Sequence, residues 1–179
     1  MRPGRPHTDP DAHGLGRRAL VRSRTTVMAM PAPVDVFFSY SHEDEGLRNE
    51  LAAHLKLLER NGYIRGWHDR RIEPGNDWKR AIDANFEKAR IILLLVSSDF
   101  LASDYCYDVE MKRALLKSDA GEADVLPIIL RDCDWSGAPF AKLQALPKDA
   151  KSVTSWANRD AAWKDVATWI RKVAADRIN

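Results

Sequence analysis

Six consecutive apolar residues, Ile91–Val96, restrict the possible folds of this chain more than any other feature. The run has the length of a β-strand and falls far short of the ~18–20 residues that span a bilayer. A strand that is apolar at every position, rather than at alternate ones, is typical of a parallel sheet covered on both faces. We therefore expect residues 91–97 to be a central strand of an α/β domain.

Segments with strand and helix patterns alternate on both sides of this run. The predicted strands are residues 34–39, 63–67, 91–97 and 125–130, with a weak fifth near 151–154. The predicted helices are residues 44–60, 78–89, 105–117 and a last one from Asn158 or Asp160, with a polar loop at 98–104. Pro127 inside the fourth strand indicates an edge or bulged position. The alternation predicts a flavodoxin-like five-stranded parallel sheet, order 2-1-3-4-5, with helices on both faces.

This topology predicts where a ligand binds. In such a sheet the crevice opens at the carboxyl ends of strands one and three, where the winding reverses. Those ends carry Ser39-Tyr40-Ser41 and Ser97-Ser98. The loop 68–77 follows strand two, contains the turn residues Pro74-Gly75-Asn76, and is expected beside them.

Composition excludes several classes of protein. Hydrophobic residues at 45% and charged residues at 30% are ordinary values for a globular chain without membrane spans. The two cysteines, Cys106 and Cys133, are too few for a disulfide framework or a four-ligand metal site, which favours the reducing cytoplasm. We find no metal-ligand spacing, phosphate-binding glycine loop in a βαβ unit or Ser-His-Asp order.

The first 33 residues differ in character from the rest. They are rich in Pro and Gly and hold six arginines against two aspartates, so the positive net charge of +2 arises there. We predict a disordered basic tail at 1–33 and one domain at 34–179. Met28 and Met30 lie just before the predicted domain. The tail therefore has an alternative origin, a start codon assigned too far upstream. The domain itself gives no reason to expect nucleic acid.

Glu110 and Cys106 are candidates for chemistry because they occupy the first turns of the helix after strand three. Judged alone, a helical glutamate is usually a solvated surface residue and a cysteine a small buried filler. His42, just after strand one, either points into the crevice or is a solvated loop residue.

Three ordered strings resemble the Toll/interleukin-1 receptor (TIR) domain family, bacterial type. V-D-V-F-F-S-Y-S at 34–41 resembles its first strand, and W-H-D-R-R-I-E-P-G at 67–75 its second strand and BB loop. L-L-L-V-S-S-D-F-L-A-S-D-Y-C-Y-D-V-E at 93–110 resembles its third strand and the following helix, with S-x-[WY]-C-x-x-x-E as the most specific element. The resemblance extends from residue 34 to about residue 178.

The resemblance implies two possible functions. Some TIR domains are signalling adaptors, whereas others, including many bacterial ones, hydrolyse NAD+ between nicotinamide and ribose. In the enzymes the carboxylate at the position of Glu110 is essential, which implies a catalytic Glu110 and NAD+ as substrate rather than as cofactor. Glu110 favours the enzyme, because an adaptor has no need of a carboxylate at this spacing.

The resemblance and the topology together suggest a set of substrate-contacting residues: Phe38, Ser39, Ser41, Arg70, Glu73, Trp78, Ser97 and Cys106. Strand alternation lets only one of Phe37 and Phe38 face the crevice. Arg70 and Arg71 either approach the pyrophosphate or solvate the loop, and Trp78 either stacks on a base or packs its helix. The serines either bind ribose or nicotinamide amide, or satisfy backbone ends.

TIR enzymes are similar in requiring self-association, and here the BB loop at 68–77 is the expected contact. A head-to-tail contact of this kind produces filaments rather than closed dimers. A separate sensing domain or protein is the expected trigger, and bacterial immunity against phage or a virulence effect the expected role. The alternatives are a non-enzymatic TIR adaptor and a response-regulator receiver. The receiver is disfavoured because Ser39-Tyr40-Ser41 lacks the acidic pair it needs.

Overall fold

The apolar run at the centre of the sequence lies at the centre of a parallel sheet. The structure, a computed structural model, describes residues 32–67 and 78–178 of the 179-residue chain. All six residues of this strand are fully buried, as predicted for a strand covered on both faces. The strands are β1 (Val34–Ser39), β2 (Ile64–Trp67), β3 (Ile91–Val96) and β4 (Asp124–Ile129).

The sheet has the order β2-β1-β3-β4 with every neighbouring pair parallel. This confirms the predicted flavodoxin-like winding for the first four strands. β1 lies between β2 and β3, so the winding reverses beside it and the carboxyl ends of β1 and β3 face the same edge. Pro127 lies in β4 at the end of this order, as its missing amide hydrogen predicts.

Helices cover both faces of the sheet. They are α1 (Glu45–Arg60), α2 (Trp78–Lys88), α3 (Ser98–Ala102), a π-helical segment (Tyr105–Met111), α4 (Lys112–Asp119) and α5 (Arg159–Ile178). α1 and α5 pack on one face, where Phe38 and Trp163 belong to one buried cluster. α2, α3, the π-helical segment and α4 pack on the other, where Phe37 and Phe86 belong to a second cluster. Alternate residues of β1 thus contribute to different cores.

The helical spacing of α1 explains how it attaches to the sheet. Leu51, Leu55 and Leu58 recur at intervals of three and four residues, which places them on one side of the helix. Each is at most 1% exposed. Burial of a leucine side chain contributes roughly 1.5–3 kcal/mol, so this stripe fixes α1 against β1 and β2.

The predicted fifth strand near 151–154 is not formed, because Val153–Ser155 is a 3-10 turn. The outer side of β4 is instead met by Leu146, which pairs with Ile128 in a single parallel bridge. The amide of Leu146 donates to the Pro127 carbonyl at 2.8 Å, and the amide of Ile129 donates to Leu146 at 2.8 Å. Pro147 follows and has no amide hydrogen, so the ladder ends after one residue.

Two other local predictions need correction. Residues 98–104 were expected to be a polar loop, but α3 begins there because Ser97 Oγ accepts the Phe100 amide at 3.1 Å. Phe100 is fully buried and anchors this short helix. The helix expected at 105–117 exists, but its first part, Tyr105–Met111, is π-helical.

None of the described helices combines the length and apolar character needed to cross a bilayer. Apart from Ala32 and Pro33, the predicted basic tail lies outside the described residues. Its disorder stays a prediction.

Candidate functional site

A cleft of about 360 Å³ opens where β1 ends and the π-helical segment begins. This is the edge at which the topology predicted a ligand site. The cleft is lined by Phe37, Phe38, Tyr40, Ser41, His42, Glu43, Ile82, Ser103, Tyr105, Cys106 and Glu110.

Glu110 places a buried carboxylate on the cleft wall. It is 5% exposed, and the hydroxyl of Ser39, the last residue of β1, donates to Glu110 Oε2 at 2.5 Å. Within the π-helical segment the buried residues are Cys106, Glu110 and Met111, so this side of the segment faces the protein. π-helical turns are rare and occur frequently at functional sites. The hydrogen bond fixes the orientation of the carboxylate relative to the end of β1.

Cys106 lies one turn before Glu110 and also faces the cleft. Its thiol donates to the Tyr40 carbonyl at 3.4 Å, and its amide donates to Ser103 Oγ at 3.3 Å. Burial raises the pKa of the thiol to about 11; the hydrogen bond with Ser103 opposes this change, and the charge of Glu110 adds to it. The thiol is therefore protonated at neutral pH and links two walls of the cleft rather than acting as a nucleophile.

Tyr105 contributes a phenol to the same wall. Burial raises its pKa, and the negative charges of Glu110 and Asp83 raise it further. The phenol is therefore a neutral hydrogen-bond donor across the physiological pH range.

Phe37 and Phe38 both line the cleft, although strand alternation predicted that only one would. The Phe37 ring packs edge-on against Phe86 at 5.1 Å between centroids, on the side of α2. The Phe38 ring lies on the other face and packs against Gly66. A Cβ added to Gly66 would lie 3.3 Å from this ring. The two rings lie on opposite faces of the sheet, but the cleft opens at the end of β1, so both rings line it.

A buried arginine, Arg48, contacts Tyr40. Arg48 is 2% exposed, its guanidinium carbon lies 5.1 Å from the centroid of the Tyr40 ring, and its Nη2 donates to the phenol oxygen at 3.4 Å. The His42 ring packs edge-on against the Tyr40 ring, with 6.2 Å between the ring centroids. Arg48 was not predicted to be buried, because it lies among polar residues at the start of α1.

A second buried carboxylate, Asp44, lies at the end of the turn His42–Asp44 and is 2% exposed. Its Oδ1 accepts from Arg131 Nε at 2.9 Å and forms an ion pair with Nη2 at 2.9 Å, and its Oδ2 accepts a close hydrogen bond from Ser97 Oγ. Arg131 Nη2 itself donates to Asp99 on α3. This group was not predicted, because Asp44 and Arg131 are 87 residues apart in the sequence.

The predicted contact residues therefore have different surroundings. Phe38, Ser41, Cys106 and Glu110 line the cleft together. Ser39 and Ser97 are fully buried, and their hydroxyls donate to the carboxylates of Glu110 and Asp44. Trp78 begins α2, but its side chain lies outside the described residues, as do Arg70, Glu73 and the loop 68–77.

Three cleft residues were not predicted: Glu43, Ile82 and Tyr105. Tyr105 lies inside the string 93–110 that carried the family resemblance, which is the signal that could have identified it. Within residues 32–67 and 78–178, no three His, Cys, Asp or Glu side chains are arranged to hold a metal ion.

Comparison with known proteins identifies the family. The family model described as TIR domain matches residues 36–167. Protein y4lF of Sinorhizobium fredii (strain NBRC 101917 / NGR234) is 57% identical over 139 residues, which are 78% of this chain and 43% of that protein. The chain thus spans less than half the length of this relative.

Solved structures support the fold. The TIR domain of the Toll-related receptor TRR-2 from Hydra magnipapillata superposes with a TM-score of 0.56 at 22% identity, covering 77% of this chain and 98% of that one. A weaker match is to the TIR domains of the activated Roq1 resistosome, which directly recognises the effector XopQ. It has a TM-score of 0.41 and 19% identity, and covers 80% of this chain and 82% of that one.

Proposed function

We propose that this chain, which belongs to the TIR domain family, is an NAD+ glycohydrolase that cleaves the bond between nicotinamide and ribose. The observation that supports this most is Glu110: a carboxylate 5% exposed, on the wall of the cleft at the switch point, oriented by Ser39. A buried carboxylate facing a ligand-sized cleft is costly to maintain for stability alone. Such groups commonly belong to functional sites.

The reaction needs an anion more than it needs an acid. Ordinary glycosidases use a carboxylic acid to protonate a poor leaving group. In NAD+ the nicotinamide nitrogen is already cationic, so when the bond to the ribose C1′ breaks its electron pair leaves with a neutral nicotinamide. Positive charge then develops on the ribose, and a preorganised carboxylate stabilises it.

Water completes the reaction. Its oxygen bonds to C1′ and releases one proton, which gives ADP-ribose. Capture of C1′ by the adenine of the same molecule would give a cyclic isomer instead. Neither route requires a metal ion, a redox cofactor or a second carboxylic acid.

The other cleft residues have supporting roles in this proposal. The Ser39 hydroxyl holds Glu110 in place, so it acts through Glu110 rather than on the substrate. Phe37, Phe38 and Tyr40 supply aromatic walls suited to the flat cationic nicotinamide ring. Ser41 lies on the wall within the same cleft and can bond the carboxamide or a ribose hydroxyl.

The remaining parts of the proposal concern the cellular setting. Arg70, Glu73 and Trp78 are proposed to contact the rest of the dinucleotide, and the loop 68–77 to mediate self-association. A separate sensing domain or protein would trigger assembly in the bacterial cytoplasm, in immunity against phage or signalling. The greater length of the Sinorhizobium relative is consistent with such a further segment.

The test is release of nicotinamide from NAD+ by concentrated protein, with Glu110→Gln compared to Asp108→Asn. Asp108 lies two residues earlier, but it is exposed and pairs with Lys112 at 2.6 Å on the surface. We expect Glu110→Gln to lower the rate about 100-fold or more, because it removes the charge that stabilises the transition state. Asp108→Asn should keep the wild-type rate.

Two outcomes would contradict the proposal. If the wild type releases no nicotinamide even under molecular crowding, the chain is not the proposed enzyme and the adaptor function becomes the better explanation. If Glu110→Gln and wild type release nicotinamide equally, Glu110 is not the catalytic carboxylate.

A further inference from the structure

The cleft wall formed by Tyr40, Ser41, His42 and Glu43 follows the last residue of β1. Because this wall lies beyond the paired strand, contacts other than strand hydrogen bonds must hold it at a fixed distance from Glu110. Within the turn itself, the Asp44 amide donates to the Ser41 carbonyl at 2.8 Å. Arg48 and Cys106 hold Tyr40 at the start of this wall, and the Asp44 side chain anchors its far end to the rest of the fold.

Asp44 joins three elements at the carboxyl edge of the sheet. Ser97, which follows β3, donates to Oδ2. Arg131, which lies two residues beyond the end of β4, donates to Oδ1 through Nε, and its Nη2 lies 2.9 Å from the same oxygen as an ion pair. The carboxylate thus links the turn after β1 to the ends of both strands on the far side of the winding reversal.

The two partners of Arg131 differ in exposure. The Asp44 side chain is 1% exposed, whereas the side chain of Asp99, which pairs with the same guanidinium, is 42% exposed. Water reaches both side chains of the Asp99 pair but only the arginine of the Asp44 pair, so the buried carboxylate holds the arginine more firmly. Asp44 is not among the cleft-lining residues and has no direct access to a ligand there.

We infer that Asp44 and Arg131 are positioning residues for the proposed NAD+ glycohydrolase: their ion pair holds the turn His42–Asp44 so that the wall opposite Glu110 fits the substrate. The inference rests on the proposed function. Because the pair shapes the binding wall and does not touch the carboxylate that stabilises the developing charge, it acts on KM for NAD+ more than on kcat.

The kinetic test compares Asp44→Asn with Asp99→Asn, two changes that remove a different partner of the same arginine. Asp44→Asn should raise KM for NAD+ about tenfold and change kcat less than about threefold, because displacement of a binding wall weakens substrate positioning. Asp99→Asn should change neither constant beyond about twofold. Equal effects of the two variants, or a fall in kcat with KM unchanged, would overturn the inference.

Arg131 gives an independent set of variants, which also serves if Asp44→Asn fails to fold. Arg131→Met should raise KM as Asp44→Asn does, and Arg131→Lys should restore part of the loss, since it keeps the charge but not the two-pronged geometry. The double variant Asp44→Asn/Arg131→Met should be no worse than either single variant, because the pair acts as one unit. Multiplying effects in the double variant would contradict the assignment.

Hydrogen exchange separates this inference from the proposed function. In Asp44→Asn the amides of residues 41–44 should exchange faster, while those of β3 keep their rates and Asp99→Asn matches the wild type. Unchanged exchange at 41–44 in Asp44→Asn refutes the anchoring role whether or not the wild type cleaves NAD+. Absence of nicotinamide release by the wild type, with faster exchange in Asp44→Asn, refutes only the proposed function and its KM effect.

Discussion

Two serine–carboxylate pairs lie at the carboxyl edge of the sheet, and they differ in what surrounds them. Ser39 ends β1 and donates to Glu110, and Ser97 follows β3 and donates to Asp44. Both serines are fully buried, and the carboxylates are 5% and 2% exposed. Glu110 lines the cleft, whereas Asp44 accepts a hydrogen bond from Arg131 Nε, forms an ion pair with that guanidinium and is not among the cleft-lining residues.

The comparison shows how one local arrangement supports two purposes. A strand-end hydroxyl can orient a carboxylate in either case. An adjacent guanidinium neutralises Asp44 and converts the group into a structural link, while the cleft keeps Glu110 available to a ligand. Loss of Asp44 should therefore reduce stability and substrate fit, and loss of Glu110 should reduce catalysis.

The largest stability difference is expected between Asp44→Asn and Glu110→Gln. Asp44→Asn should lower the free energy of unfolding by about 1–2 kcal/mol, because it removes a buried charge whose partner Arg131 is 36% exposed and keeps its pair with Asp99. Glu110→Gln should change it by less than about 1 kcal/mol, since the amide oxygen can still accept from Ser39. Urea unfolding of both variants measures the difference, and a similar loss in both would remove the distinction between the two pairs.

The two serines offer a smaller contrast. Ser97→Ala should cost about 1–3 kcal/mol, because it leaves a buried carboxylate oxygen short of a donor and also removes the cap of α3. Ser39→Ala should cost a similar amount of stability but, unlike Ser97→Ala, should also reduce kcat for nicotinamide release, because it frees the orientation of Glu110. Equal kcat values for the two alanine variants would contradict a positioning role for Ser39.

Cys106 reports the electrostatics of the cleft. Its pKa is raised to about 11, first by burial and then by the charge of Glu110. In a Cys133→Ser background, iodoacetamide should therefore modify the folded protein at pH 8 roughly 100-fold more slowly than the urea-unfolded chain. Glu110→Gln should speed the reaction of the folded protein, since it removes one of the causes of the raised pKa.

The same shift predicts a pH dependence of stability. The folded thiol keeps its proton to a higher pH than the unfolded thiol, so its contribution is fully present below pH 9.0 and is lost as the pH rises towards about 11. Cys106→Ser should show a smaller loss of stability in this window. Identical pH profiles for variant and wild type would contradict the raised pKa.

The smallest effect is expected for carboxylates on the surface. Asp108→Asn removes the exposed pair with Lys112 and should leave the free energy of unfolding essentially unchanged. A loss comparable to that of Asp44→Asn would show that burial does not distinguish these carboxylates.

Much of the fold was predictable because its signals are local and strong. Ile91–Val96 is apolar at every position and indicated a central parallel strand, and the leucine spacing of α1 indicated an amphipathic helix. From the resulting order, the cleft could be placed at the end of β1 before any motif was considered. The family resemblance then singled out Glu110, which does line this cleft.

The remainder depends on contacts that sequence patterns do not encode. Arg131 meets Asp44 only because β4 and the turn after β1 end at one edge, so neither residue stood out in the sequence. α3 depends on a single cap by Ser97 and the burial of Phe100, and the run that contains them is polar enough to suggest a loop. The fifth strand was predicted from a weak pattern near 151–154. In the structure the residue that pairs with the outer side of β4 is Leu146.

The most direct test of this account is the rate of nicotinamide release at saturating NAD+ for Glu110→Gln and Asp44→Asn side by side. We predict that Glu110→Gln falls about 100-fold or more while Asp44→Asn stays within about threefold of the wild type. If both variants lose the same activity at saturation, the division between a catalytic and a positioning carboxylate is wrong.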